Sequence, residues 1–208
     1  MRKHPTLAAY AEIVREKQLP RAPLDAMIEA RGKDLEAAPF EGWPDLDAYA
    51  EATAGGVFQL GIDICADVLE RPKQREAFIA NAAKAWGYAG LLRALPHWTA
   101  RGRTFFPHQL LAHNGLDPAT VLSDFTGHAA RSCAAAVLDR GRHAFKQARE
   151  LARLLPSALF PAFGYLTFAP RYYKALGAMT CDAPPNGELV PLILRQMLLI
   201  AASATGRA

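Results

Sequence analysis

The chain has 208 residues, 51% of them hydrophobic and 21% charged, with a net charge of +4 and a pI near 9.1. That composition excludes a disordered polymer and a pair of full-sized domains, and its mild, unclustered basicity excludes nucleic acid as a partner while permitting phosphorylated ligands or anionic lipid. Three cysteines without CxxC spacing (Cys65, Cys133, Cys181) exclude a disulfide framework and a zinc site, and fit a reducing compartment.

Alanine and leucine dominate and period-two runs of β-branched residues are absent, so the chain reads as all-α: one helical bundle over residues 1–208. The opening "MRKHPTLAAY" lacks the apolar core of a signal peptide. A first helix is expected over residues 6–18, and a second from Pro23 to Ala37, with proline in its first turn. "PFEGWPD" is a connector.

A long third helix is expected from Asp45 to Leu69. It carries Ala54, Gly55 and Gly56 in its middle, where glycine costs about 0.5–1 kcal/mol relative to alanine. Either close helix packing or a flat cavity wall for a long apolar ligand would compensate. Asp63 and Asp67 lie one turn apart, a spacing able to share a divalent cation, although paired surface aspartates are the plainer account.

A fourth helix is expected from Pro72 to Leu95, ended by Pro96. The loop after it carries Arg101-Gly102-Arg103, with Arg93 on the helix before it. Guanidinium groups pair bidentately with phosphate, so these three arginines form a candidate anion site, with exposed loop arginines as the alternative. "PHQLLAHNGLDP" predicts a short helix closed by Asn114-Gly115.

The clearest amphipathic helix runs from Gly127 to Leu155. Cys133, Val137, Ala144 and Ala148 fall on its inner face, and Arg140, Arg142, Lys146, Arg149 and Arg153 on a solvated outer one. Short helices are expected after Pro161 and Pro170. The last spans 188–204, too short to cross a bilayer and read as a core helix. His97, His108, His113, His128 and His143 form no helical ligand pair, and Ser123, Ser132 and Ser157 have no nucleophile-elbow setting.

Three stretches carry a family resemblance: "LPRAPLDAMIEARGKDLEAAPFEGWPDLDAYAEATAGGVFQLG", "GYAGLLRA" and "RGRTFFPHQLLAHNGL". Through them the chain resembles the squalene/phytoene synthase family of prenyl transferases over nearly its whole length. The second stretch is similar to the family pattern N-x-x-R-D-x-x-x-D, and the third to G-R-x-Y-L-P.

Arg93 matches the family arginine, but Gly90 stands at the asparagine position, Ala94 and Trp98 at the two aspartates, and Phe105 at the tyrosine. The other aspartate-rich helix of the family lies upstream of the matched region. Within the family, "GLLRALPHWTARGRTFFP" is most similar to the non-catalytic branch of mitochondrial complex I assembly factors.

The resemblance implies an isoprenoid-synthase-type bundle lacking the family's N-terminal helices. It implies no catalytic residues, no metal, and no cofactor, magnesium being required only if the chain is a prenyltransferase or a subunit of one. Arg93, Arg101 and Arg103 would remain as diphosphate contacts, with Ala54, Gly55, Gly56 and Phe105 in the pocket wall.

The implied role is in biogenesis of a respiratory complex, on the cytoplasmic or mitochondrial-matrix side and peripheral to the inner membrane, with an isoprenoid lipid carrier as a further reading. Loss of the front helices would uncover apolar faces. It therefore predicts a homo- or hetero-oligomer, with respiratory subunits or an N-terminal-helix chain as partner.

Overall fold

The computed structural model describes residues 4–38, 40–66, 72–124, 127–177 and 190–205, and among them every regular element is helical. Helix α1 spans Pro5–Lys17 and α2 spans Ala22–Ala30, with Pro23 in its first turn. The expected extension of α2 to Ala37 tightens instead into a 3-10 turn, Arg31–Leu35.

The connector is less passive than its prolines imply. The Asp45 carboxylate accepts from the backbone N–H groups of Glu41 (3.0 Å) and Gly42 (3.3 Å), fixing the start of α3 at Trp43–Ala50. A π-helical turn, Glu51–Gly55, leads directly into α4, Gly56–Cys65. Helix α4 stops at Cys65 because Ala66 turns extended (ψ 133°), and the expected continuation to Leu69, with Asp67, lies outside the described residues.

Helix α5, Pro72–Thr99, is the axis of the bundle. Phe78, Ala82, Ala85, Tyr88, Leu92 and Leu95 are all buried along it, and it touches α3, α4, α8 and α10. It runs on through Pro96, where the sequence predicted its end. Proline disrupts a helix through its missing N–H and its clash with the preceding turn, and here only one further turn follows. The Thr99 hydroxyl donates to the carbonyls of Leu95 and Pro96, both at 3.1 Å, which ties that turn down.

The end of α5 is a Schellman motif. Gly102 N–H donates to Thr99 O (2.9 Å) and Arg103 N–H to Trp98 O (3.0 Å), with Gly102 at φ +67°. The same pattern recurs after α6 (His108–His113), where Gly115 at φ +66° closes the helix as its Asn-Gly pair predicts. Helix α7 spans Pro118–Ser123 and is capped by Asp117, whose carboxylate accepts from Thr120 N–H at 2.7 Å.

Helix α8, His128–Ala152, lies along α5 and buries the expected face of Cys133, Val137, Ala144 and Ala148. A 3-10 turn (Ser157–Leu159), α9 (Phe160–Phe163), a second 3-10 turn (Gly164–Phe168) and α10 (Ala169–Gly177) follow. Helix α11 is Leu192–Thr205, and its expected start at residue 188 lies outside the described residues. None of the described helices is long and apolar enough to cross a membrane.

The fit of α8 against α10 depends on one glycine. A Cβ on Gly141 would fall 2.2 Å from the Tyr173 hydroxyl, and that hydroxyl donates to the buried Ala85 carbonyl of α5. A second network joins α3, α5 and α8 at Asp47. Its carboxylate accepts from Tyr88 and from Arg140 (2.8 Å), with Lys84 at 3.5 Å, while the Arg140 guanidinium lies 4.7 Å above the Trp43 ring. Arg140 stays on the exposed face expected for it, with its side chain 42% exposed, while its guanidinium reaches Asp47. Burial works against ionisation of Asp47, but the bonds from Arg140 and Tyr88 and the charge of Lys84 together hold its pKa below the usual carboxylate range.

Candidate functional site

A cavity of about 520 Å³ opens between α2, the Arg31–Leu35 turn, the π turn, α5 and the loop after α5. Its volume suits one small-molecule ligand. Helix α5 forms the longest wall, presenting Trp86, Gly90, Arg93, Ala94, His97 and Trp98 at helical spacing, and the loop adds Arg101 and Arg103. Met27 of α2, Thr53 and Ala54 of the π turn, Val57 of α4 and Tyr165 complete the apolar side, and Arg31, Asp34 and Tyr49 the polar one.

Arg93, Arg101 and Arg103, the three arginines of the candidate anion site, therefore meet at one cavity. The Arg93 side chain is exposed, and its guanidinium makes no hydrogen bond or ion pair with any described residue. Arg101 reaches back one turn to the His97 ring, 2.6 Å from Nδ1. Arg103 is fixed more firmly, its Nη1 donating to the backbone carbonyl of Asp34 at 2.8 Å. Among the described residues none of the three pairs with a carboxylate.

The single carboxylate of the lining, Asp34, is already engaged. It accepts from Tyr49 Oη at 2.6 Å and from Arg31 Nη1 at 3.2 Å, while Arg31 also donates to Tyr49 Oη at 2.8 Å. Burial raises the Tyr49 pKa, and the bond to Asp34 raises it further, so the phenol stays protonated. With Arg31, Arg93, Arg101 and Arg103 against one carboxylate, the cavity has a positive excess suited to an anion.

Gly90, Ala94 and Trp98 all line the cavity along one face of α5. None offers an oxygen ligand, and no group of three or more His, Cys, Asp or Glu side chains able to hold a metal occurs among the described residues. Asp63, the described half of the aspartate pair, lies elsewhere, joined to Arg75 and accepting from Gln59 Nε2 at 2.8 Å. The donor set at the cavity does not fit a divalent cation, for which several oxygen ligands must converge.

The expected apolar wall divides. Ala54 faces the cavity, but Gly55 and Gly56 do not. A Cβ on Gly55 would lie 3.2 Å from Ala83 Cβ of α5, and one on Gly56 would lie 3.3 Å from the Pro23 carbonyl of α2. These glycines permit close helix packing, and the π turn before them carries Thr53 and Ala54 to the cavity. Phe105 is fully buried against Phe106 (ring centroids 4.7 Å apart) and also lies away from the lining. Gly102 between the two loop arginines, at φ +67°, serves to end the helix.

Several lining residues escaped the sequence reading. Trp86, Gly90 and His97 were within reach of it, because they repeat at helical spacing from Arg93. Arg31, Asp34, Tyr49 and Tyr165 arrive from elements whose placement no local pattern announces. Trp86 stands edge-on to Tyr165 (4.9 Å) and to Tyr172 (5.7 Å), and Tyr165 stacks on Phe58 (4.9 Å), giving the cavity a rigid aromatic floor.

The model of the squalene/phytoene synthase family matches residues 1–193. Among curated relatives, the NADH dehydrogenase (ubiquinone) complex I assembly factor 6 of Mus musculus is 23% identical over 169 residues, covering 81% of this chain and 50% of its own. The phytoene synthase of Rhodobacter capsulatus is 26% identical over 183 residues, covering 88% and 52%. The chain thus spans about half the length of the curated relatives it matches.

Among solved structures, the squalene synthase HpnC from Alicyclobacillus acidocaldarius superposes with a TM-score of 0.64 at 21% identity, over 98% of this chain and 67% of that one. A dehydrosqualene synthase gives 0.69 at 16% identity, over 90% and 66%. These structures share the all-α isoprenoid-synthase fold with this chain.

Proposed function

The chain belongs to the squalene/phytoene synthase family, and from that premise we propose a non-catalytic member that holds a phosphate-bearing isoprenoid lipid and assists assembly of a respiratory complex. One observation carries the proposal. Arg93, Arg101 and Arg103 face the cavity without carboxylate partners among the described residues, while Gly90, Ala94 and Trp98 stand where metal-holding side chains would be needed. Ionising an allylic diphosphate demands strong stabilisation of the departing negative charge, and paired carboxylates with bound cations are the usual means. Arginines alone bind the anion in its ground state without supplying those ions.

The apolar side formed by Met27, Ala54, Val57, Trp86 and Tyr165 would receive the prenyl tail, and Arg93 and Arg101 the phosphate. The assembly role rests on likeness to relatives named as complex I assembly factors. On this reading the chain works at the matrix or cytoplasmic face of the respiratory membrane, in an oligomer or with subunits of the complex.

The test is calorimetric titration with farnesyl diphosphate, with magnesium and with chelator, followed by product analysis. Binding is expected to be independent of magnesium, to fall at least about tenfold in an Arg93→Gln/Arg101→Gln variant, and to yield no condensed product. Condensation in the presence of magnesium would overturn the non-catalytic assignment, and absence of binding would overturn the ligand. Unchanged complex I assembly intermediates on native gels, in cells deprived of the chain, would overturn the assembly role.

A further inference from the structure

We propose that the ligand of this cavity carries a hydrogen-bond-accepting oxygen in its apolar part, held by Trp86, Tyr165 and Tyr172. The inference rests on the reading of the cavity as a site for a phosphate-bearing lipid, and narrows that lipid to an oxygenated one.

The tyrosines of the core divide into two groups. Tyr49, Tyr88 and Tyr173 spend their hydroxyls within the fold, on Asp34, Asp47 and the Ala85 carbonyl. Tyr165 and Tyr172 do not. Neither hydroxyl has a hydrogen-bond partner among the described residues, and the indole N–H of Trp86 has none either. Yet Tyr172 is only 8% exposed, and burial alone raises the Tyr165 pKa, with no bonded group contributing. Both phenols are therefore protonated donors at neutral pH. None of the three polar atoms is sealed off by protein, so each meets open space.

That space is the cavity and a recess beside it. Trp86 and Tyr165 line the cavity, while Trp86 and Tyr172 line a recess of about 40 Å³ that shares Trp86, Gly90 and Arg93 with it. A recess of that size admits one small polar group. The two phenol rings approach Trp86 edge-on, with centroids 4.9 and 5.7 Å away, so the three donors belong to one aromatic cluster.

A plain hydrocarbon laid on this floor would displace water from the donors and return no hydrogen bond, an unfavourable exchange for each of them. An acceptor oxygen would satisfy them without disturbing the packed rings, and hydroxyl, ether, epoxide and carbonyl oxygens share that chemistry. Trp86 precedes Arg93 by seven residues, or about 10 Å along α5, which places the oxygen about two isoprene units from the phosphate.

The test compares farnesyl diphosphate with the epoxide of its terminal double bond, by calorimetry on the full chain in chelator. The epoxide is expected to bind at least about fivefold more tightly, and the preference to vanish in a Tyr165→Phe/Tyr172→Phe variant. In the parent chain, with no variant needing to fold, the epoxide should move the Trp86 indole N–H resonance further downfield than farnesyl diphosphate does. Equal affinity for the two ligands, or a preference that survives in the folded double variant, would overturn the inference while leaving the phosphate-lipid reading in place. Binding of neither ligand would overturn both.

Discussion

Replacing Gly141 by alanine tests the packing argument at its tightest point. In a free helix the change stabilises by about 1 kcal/mol, because alanine loses less backbone freedom on folding. Here the added Cβ would sit 2.2 Å from Tyr173 Oη, 2.8 Å from Cζ and 2.9 Å from Cε1, well inside contact distance. The ring cannot slide freely, since Tyr173 is 2% exposed and its hydroxyl is tied to the Ala85 carbonyl.

Relief requires α8 or α10 to move by about an ångström, an overpacking cost of about 1–3 kcal/mol. Loss of the buried hydrogen bond adds about 1–3 kcal/mol. After the helical gain, a net destabilisation of about 1–5 kcal/mol remains. Urea denaturation followed by circular dichroism should show a lower midpoint with an unchanged slope.

A double-mutant cycle isolates the cause. Tyr173→Phe alone should destabilise by removing the hydroxyl's buried bond to Ala85 O, but it also removes the atom nearest the new methyl group. The two changes together should then cost less than their sum by about 1 kcal/mol or more. A Gly141→Ala variant more stable than the parent, or strictly additive changes, would refute the reasoning.

Asp47→Asn should destabilise by about 1–2 kcal/mol, because Tyr88 and Arg140 lose their charged acceptor, while Lys84 keeps Glu51 at 3.1 Å. With its folded pKa lowered, Asp47 contributes stability above its unfolded pKa that is lost as pH falls through the folded value. Urea midpoints measured down through the acid range should therefore fall more steeply for the parent chain than for Asp47→Asn, and parallel curves would count against the network. Burial pushes the Cys133 thiol up to about 11, so iodoacetamide at pH 8 should label it only after unfolding, as peptide mass mapping can read. Rapid labelling in the folded chain would contradict its place in the core.

The sequence alone determined the helical class, most helix positions, the inner face of α8 and the Gly115 helix end. Each is set by bonds and side-chain spacing within one or two turns, where a period of 3.6 residues or a single left-handed glycine leaves little choice. It also brought Arg93, Arg101 and Arg103 into one hypothesis, and Arg93 implied by spacing which face of α5 would line a site.

Tertiary structure decided the rest, because a local pattern states that a face is buried but not against what. Only packing carried Arg31, Asp34 and Tyr49 to the cavity, turned Gly55 and Gly56 away from it toward Ala83 and Pro23, and drew Arg140 onto Asp47 and Trp43. Pro96 shows the same limit, since whether a proline ends a helix depends on what secures the following turn. Helix α11 shows it most clearly: its apolar sequence reads as core, yet the bundle covers only one side, and the exposed side is a property of the fold.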